Sequence, residues 1–559
     1  MKHILIFLTG LLCYGVVWGQ SNPINPYHYA SVKRVVVDNG AVASAHPLAS
    51  EIGAMILKEG GNAVDAAVAV QFALAVVYPR AGNLGGGGYT VIHLANGTNE
   101  AIDYREKAPE QASRYMFVKN GHSSTALRHN GQLASGVPGT VAGIFLAHEK
   151  YGKLPMQALI QPAIDLANDG FVLTSNAARS FNYNQSAFRK CNTVTPVFVR
   201  TDGWQKGDTL VQKDLAHTLA LIRDQGKSGF YEGETAGKIV AEMQRGNGII
   251  SLKDLKKYEA SERVPIVFDY KGYTVVAMSP SSSGGIAVQQ MLGMLKRYPI
   301  GAYGFESLRA VQLMTEIERR AFSDRAAYLS DPDFIRMPLK AMVTDHYLKG
   351  RMATYSPKHA TPRNAIRAKI KLPVESKETT HISVVDRAGN AVAVTYTLSS
   401  NYGCKVVVGH AGFFLNNEMR AFNSNPRDGL IVNTIRPDIR MRSSMSPTVV
   451  LKQGKPYLVL GTPGSETIIT SVFQTLVDII DFDMSVSDAV NAPKFHYNRT
   501  GNTLYIEKGF PSPVVEAMQQ MGYRFEKNRV IGRMEVIRIA DGKIEAVADR
   551  RGDDSASGY

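Results

Sequence analysis

The chain has 559 residues, 44% of them hydrophobic and 20% charged, with a formal net charge of +14. That balance excludes a disordered or fibrous chain and allows a large buried core. Lys and Arg are scattered, with no basic run and no aromatic–basic repeat. This argues against a nucleic-acid partner and leaves solubility or attraction of anionic substrates as the reading of the charge.

The N-terminus opens with Met1-Lys2-His3 and continues in an apolar stretch of 15 residues, Ile4 to Trp18. That is short for a membrane span. With Val17-Trp18-Gly19 before a polar tail, residues 1–19 read as a signal peptide cleaved near Gly19 or Gln20; an uncleaved anchor is the alternative. No later segment is long and apolar enough to insert, so the mature chain is expected to be periplasmic or secreted. Cys191 and Cys404 remain after signal removal. Whether they pair is open, because sequence does not place their Cα atoms. No zinc spacing is present, since His148-Glu149 lacks a second His four positions after the first.

Helical spacing of Ile52, Met55 and Ile56 runs to a stop at Gly60-Gly61. Asn62 caps a second helix, "AVDAAVAVQFALAVV", which is apolar on most faces and therefore buried, and Pro79 ends it. "AGNLGGGGYTVIHL" follows, a glycine run that permits close backbone approach. It is not a phosphate cradle: Tyr89-Thr90 stand where Lys and Ser/Thr would be needed, and the order is helix, glycines, strand. From about 120 to 360 the pattern is largely helical, and residues 355–378 read as an exposed, basic, Pro-punctuated linker. Beyond Thr379 the chain is strand-rich, with helices at "TIITSVFQTLVDIID" and "SPVVEAMQQMGY" and a hairpin about Asp541-Gly542.

Thr379-Thr380 thus stands where a linker meets a strand. A threonine there can become a new N-terminus without tearing the fold. Cleavage of the Glu378–Thr379 bond would give Thr379 both a hydroxyl and a free α-amine, whose reference pKa of about 7.7–8 suits it to take the hydroxyl proton. Oxyanion donors would come from a turn entering a helix, and "LGTPGSET" (460–467) after strand "PYLVL" is such a turn.

From about Ala45 to Tyr559 the chain resembles the γ-glutamyltranspeptidases, or glutathione hydrolases, of the N-terminal-nucleophile superfamily. The resemblance is carried by Thr379-Thr380-His381 with "SVVDRAGNAVAVTYTL", "LNNEM" (415–419), "SSMSPT" (443–448), "GGNAVDAAVAVQFALAVV", "NLGGGG", "DYREKAP" (103–109) and "DRAAYLSDPDF". It implies an α+β fold, a four-layer αββα sandwich. It also implies self-cleavage into a large subunit, 20–378, and a small one, 379–559, that stay together as a heterodimer. Thr379 would be the nucleophile and Thr397 its supporting threonine. Arg105, Ser443 and Ser444 would hold the substrate α-carboxylate and Glu418 its α-amino group. Ser399 stands at a substrate-binding position usually held by Asn, and Gly464 and Ser465 at the oxyanion position. No metal or organic cofactor is implied, and the substrate would be a γ-glutamyl compound such as glutathione, with water, an amino acid or a peptide as acceptor.

Two departures matter. "LNNEMRAF" puts Ala421 where the family has an Asp that partners the glutamyl ammonium, and Arg420 beside it adds a positive charge. The segment 420–443, where many members carry a lid, is short. Two rivals follow: an amidase or acylase of the same fold with a glutaryl-like or poly-γ-glutamyl donor, and an unprocessed binding homologue.

Overall fold

The computed structural model describes residues 24–366, 378–423, 432–499, 501–527 and 529–559. The expected signal peptide and most of the expected linker lie outside these residues.

Two seven-stranded sheets dominate. Their strands, in chain order, are β1 Arg34–Val37, β2 Ala41–Ser44, β3 Gly87–His93, β4 Asn99–Asp103, β5 Ser261–Arg263, β6 Ile266–Tyr270, β7 Tyr273–Ala277, β8 Thr380–Val385, β9 Ala391–Thr397, β10 Thr448–Lys452, β11 Lys455–Gly461, β12 Glu535–Ala540, β13 Lys543–Ala548 and β14 Ser555–Gly558. One sheet runs β1-β13-β12-β11-β10-β7-β6 and the other β14-β2-β8-β9-β3-β4-β5, with neighbours antiparallel.

Alternation along the strands builds the layers. In β8, Ile382 and Val384 join the core under α1 (Pro47–Lys58) and α2 (Ala63–Val77), while Val385, two positions on from Ser383, faces the other sheet. Small residues such as Ala41, Ala43, Ala391, Ala393, Ala546 and Ala548 fill the space between the sheets and let them approach. On the far side, Val450, Leu458, Leu460 and Val536 pack under α3 (Gly284–Leu295), α4 (Leu308–Tyr328) and α5 (Thr467–Ile480). The result is helix, sheet, sheet, helix. All fifteen residues of α2 are buried, and Asn62 closes its N-terminus in a capping box with Asp65.

Two expectations change. The largely helical stretch up to 360 also contains β5 and β6, the edge strands of the two sheets, and β7, which lies between β6 and β10. Residues 355–366 are tied down rather than free: Ile366 is buried and its carbonyl accepts from Ser323 Oγ at 2.7 Å. Cys191 and Cys404 are free thiols. Among the described residues no helix is long and apolar enough to cross a membrane.

Candidate active site

Thr379 immediately precedes β8, in phase with His381 and Ser383, so its side chain belongs to the face between the sheets. Thr380 pairs with Tyr396, and the same register carried one step further sets Thr379 beside Thr397. Both hydroxyls converge on one atom. Thr379 Oγ1 donates to the Glu378 carbonyl at 2.7 Å and Thr397 Oγ1 donates to it at 2.8 Å. The Ser399 N–H in turn donates to Thr397 Oγ1 at 2.8 Å, which orients that hydroxyl.

The glycine run explains how β9 is held. A Cβ on Gly86 would lie 2.1 Å from the Thr397 carbonyl oxygen, and one on Gly88 2.3 Å from Tyr396 Cβ. Only bare backbone lets β3 lie this close to the strand that carries Thr397.

Thr379, Thr397, Ser399, Arg105, Glu418, Ser443, Ser444 and Ser465 share one small pocket of about 30 Å³. Arg420 and Ala421 also line it. Arg105 and Glu418, both buried, form a two-pronged ion pair, Nη1–Oε1 2.6 Å and Nη2–Oε2 2.7 Å. Burial works against the Arg105 charge, but Glu418 and Glu106 outweigh it and raise its pKa. Behind it, burial pushes the Glu106 carboxyl well above the usual range, and its Oε1 has no hydrogen-bond partner among the described residues. The two residues expected to grip opposite ends of a glutamyl group thus lie in one pocket and pair with each other on its buried floor.

Ser443 Oγ accepts from the Met445 N–H at 3.1 Å, and Ser444 Oγ accepts from Arg325 Nη2 at 2.7 Å. Arg325 was not singled out from the sequence, although it lies inside the quoted block "DRAAYLSDPDF". Its Nε also binds Ser283 Oγ at 2.7 Å and its Nη1 Glu466 at 2.9 Å, so it clamps Ser444 and Ser283 to the turn before α5. In that turn Ser465 has φ +64° and Gly464 φ +136°. Ser465 lines the Thr379 pocket and Gly464 an adjoining cleft. The two residues expected at the oxyanion position thus adopt positive-φ backbone even though one is not glycine, at a cost of roughly 1–2 kcal/mol.

Beside Ala421, Arg420 reaches Ser400 Oγ at 3.0 Å, and Arg128 donates to the carbonyls of Arg420 and of Phe422. Burial, with Arg420 and Arg128 adding to it, pushes His129 down to about 4, so this wall carries arginine charge beside a neutral imidazole. Sequence reading also missed Arg80, whose Nη2 meets Glu378 Oε2 at 2.8 Å. Among the described residues no cluster of His, Cys, Asp or Glu is suited to hold a metal ion.

Facing antiparallel sheets between helix layers, with a threonine hydroxyl at the head of a central strand touching the preceding carbonyl, define an N-terminal-nucleophile hydrolase. The family model for γ-glutamyltranspeptidase matches residues 49–559, and the chain belongs to that family. It is 43% identical over 532 residues to a glutathione hydrolase proenzyme of Escherichia coli K12, covering 93% of this chain and 92% of the relative. Among solved structures, the crystal structure of Helicobacter pylori γ-glutamyltranspeptidase is 42% identical with a TM-score of 0.56, covering 59% of this chain and 94% of that one. A cephalosporin acylase from Bacillus halodurans superposes with a TM-score of 0.83 over 97% of this chain and 99% of its own at 23% identity, a likeness of fold.

Proposed function

We propose that the protein is a self-processing γ-glutamyltransferase and glutathione hydrolase, and that Thr379 is first its own substrate and then its nucleophile. The observation that carries this is the convergence of the Thr379 and Thr397 hydroxyls on the Glu378 carbonyl. Thr379 Oγ1 attacks the Glu378 carbonyl carbon while Thr397 donates to its oxygen. The C–N bond breaks, the Thr379 nitrogen takes the hydroxyl proton and becomes an amine, and an ester joins Glu378 to Thr379 Oγ1. Water hydrolyses the ester, leaving the Glu378 carboxylate and a free Thr379.

The subunits 20–378 and 379–559 stay together after this step because their strands interleave. Strands β8 and β9 of the second lie between β2 and β3 of the first, and β10–β13 lie between β7 and β1. In turnover the Thr379 amine takes the hydroxyl proton as the oxygen attacks the γ-carbonyl of a donor. The amine of the leaving group departs protonated, and a γ-glutamyl ester remains until water or an acceptor amine removes the acyl group. A glutamyl zwitterion carries the same two charges as the floor of the pocket. Its carboxylate replaces Glu418 on Arg105, with Ser443 and Ser444 alongside, and its ammonium takes Glu418. Export by way of residues 1–19 would place this activity in the periplasm or outside the cell.

One observation favours a second reading of the donor. Ala421 and Arg420 line the pocket where an ammonium would need anionic company. A dicarboxylic acyl group without the ammonium, such as glutaryl, avoids that conflict. Chromophore release from γ-glutamyl and glutaryl p-nitroanilides separates the two. Faster turnover of the γ-glutamyl compound is expected, faster glutaryl turnover reassigns the donor, and release from neither by processed protein overturns both.

A further inference from the structure

The pocket over Thr379 opens beside a much larger cleft of about 520 Å³, and Glu378 lines both. Its backbone carbonyl is the one that Thr379 and Thr397 touch, while its side chain turns into the large cleft and pairs with Arg80. Arg80 Nε is fixed by Asn401 Oδ1 at 3.0 Å, and the Tyr402 N–H donates to the Arg80 carbonyl at 2.9 Å, so the guanidinium is built in rather than trailing.

The other cations of the cleft differ in what they already hold. Arg533 is occupied by Asp554 at 2.7 Å and by the Tyr78 hydroxyl at 3.1 Å, and Arg551 by Asp549 and Glu507. Asp553 accepts from Thr174 and Asn176. Arg179 reaches only the Asn176 amide, at 3.1 Å, and forms no ion pair among the described residues. Glu378 is the one carboxylate that Arg80 holds among the described residues. Cleavage after Glu378 turns that residue into a chain end, which frees Arg80 to exchange its partner.

We propose that Arg80 binds the free carboxylate of the amine-side reactant, meaning the dipeptide leaving group of the donor and the incoming amino acid or dipeptide acceptor, with Arg179 across the cleft adding to the field. This rests on the γ-glutamyl-transfer reading above. The acyl group fills the Arg105 side of Thr379, so the amine leaves and arrives through the remaining opening, which is the large cleft. The spacing fits. A glutamate side chain carries its carboxylate about 5 Å from its own carbonyl carbon by C–C bond lengths, and a dipeptide spans about 7 Å from amine to carboxylate. Arg80 already holds one carboxylate at the first distance, and its part-exposed guanidinium can meet the second. Arginine suits the task because its fork takes a carboxylate through two parallel hydrogen bonds. In the uncleaved chain the same pairing keeps Arg80 occupied, so the acceptor side is assembled only by processing.

The test uses processed protein with γ-glutamyl p-nitroanilide as donor and compares glycylglycine with glycylglycine amide as acceptors. Wild type should show a KM for the acid at least fivefold below that for the amide. In Arg80→Gln the KM for the acid should rise about tenfold while that for the amide changes less than twofold, and Arg80→Lys should recover part of the loss. Equal KM values for acid and amide in wild type overturn the proposal without any variant. So does a parallel rise for both acceptors in Arg80→Gln. Should Arg80→Gln remain uncleaved, Arg179→Gln and Arg80→Lys make the same acid-against-amide comparison, and no selective rise in either overturns it. Absence of anilide release by processed wild type would instead sink the parent reading.

Discussion

Replacing Thr397 by Val removes one oxygen and keeps the shape of the side chain. In the structure that oxygen does two things: it donates to the Glu378 carbonyl at 2.8 Å and accepts from the Ser399 N–H at 2.8 Å. The first bond strengthens as the carbonyl oxygen gains charge during attack by Thr379. Loss of one such donor costs about 10²–10³ in rate, or about 3–4 kcal/mol of barrier. The second loss leaves a buried N–H without its acceptor, at about 1–3 kcal/mol of stability. The assay is a time course of the uncleaved chain on a denaturing gel, started at purification, with thermal melting to show that the variant is folded. Thr397→Val should be cleaved at least a hundredfold more slowly, and Thr397→Ser, which keeps the oxygen, within several-fold of wild type. If a folded Val variant is cleaved within threefold of wild type, the hydroxyl does not serve the reaction and the convergence on Glu378 is incidental.

Ala421→Asp supplies a carboxylate at the wall that lacks one, and should raise kcat/KM for γ-glutamyl over glutaryl anilide about tenfold to a hundredfold, the equivalent of one charge-assisted bond of roughly 1.5–3 kcal/mol; no change in the ratio would show that the ammonium does not reach this wall. Ser465→Gly relieves left-handed backbone costing roughly 1–2 kcal/mol and adds chain entropy worth about 0.5–1 kcal/mol, so unfolding should shift by less than about 1.5 kcal/mol, toward greater stability, with anilide turnover kept; a clear fall in melting temperature contradicts the strain argument. His381 is buried between Thr395 and Ser383 hydroxyls, and burial pushes it down to about 3. An unfolded imidazole takes up a proton near pH 6.5 and this one does not until about 3, so stability is lost as pH falls through that window, by up to about 1.4 kcal/mol per unit. Urea midpoints at pH 7, 5.5 and 4.5 should fall less steeply in His381→Gln than in wild type, and parallel slopes would refute the assignment.

Much of the fold was legible because local chemistry and tertiary need agree. Asn62 made a helix start readable, and Asp541-Gly542, at φ +53° and +73°, made a hairpin readable. The hairpin of β6 and β7 was not, because its turn is Lys271-Gly272: lysine adopts φ +49° there without the Asn or Asp that usually signals such a turn. At the site, Thr379 was readable from its place between linker and strand and Thr397 through the family resemblance; the strand register that sets them side by side appears only in the structure. The Arg105–Glu418 ion pair and the Arg80–Glu378 ion pair join positions 313 and 298 residues apart, and no periodicity encodes them. The resemblance assigned Arg105 and Glu418 to a ligand, and the structure adds that the two side chains pair with each other on the pocket floor.

The proposed chemistry requires cleavage between residues 378 and 379. Mass spectrometry of freshly purified protein under denaturing conditions, with the N-terminus of the smaller fragment read, tests it most directly. Two chains are expected, the smaller running from Thr379 to Tyr559, and Thr379→Ala should stay as one chain. A wild-type chain that remains intact, or a fragment that begins at any other residue, contradicts it.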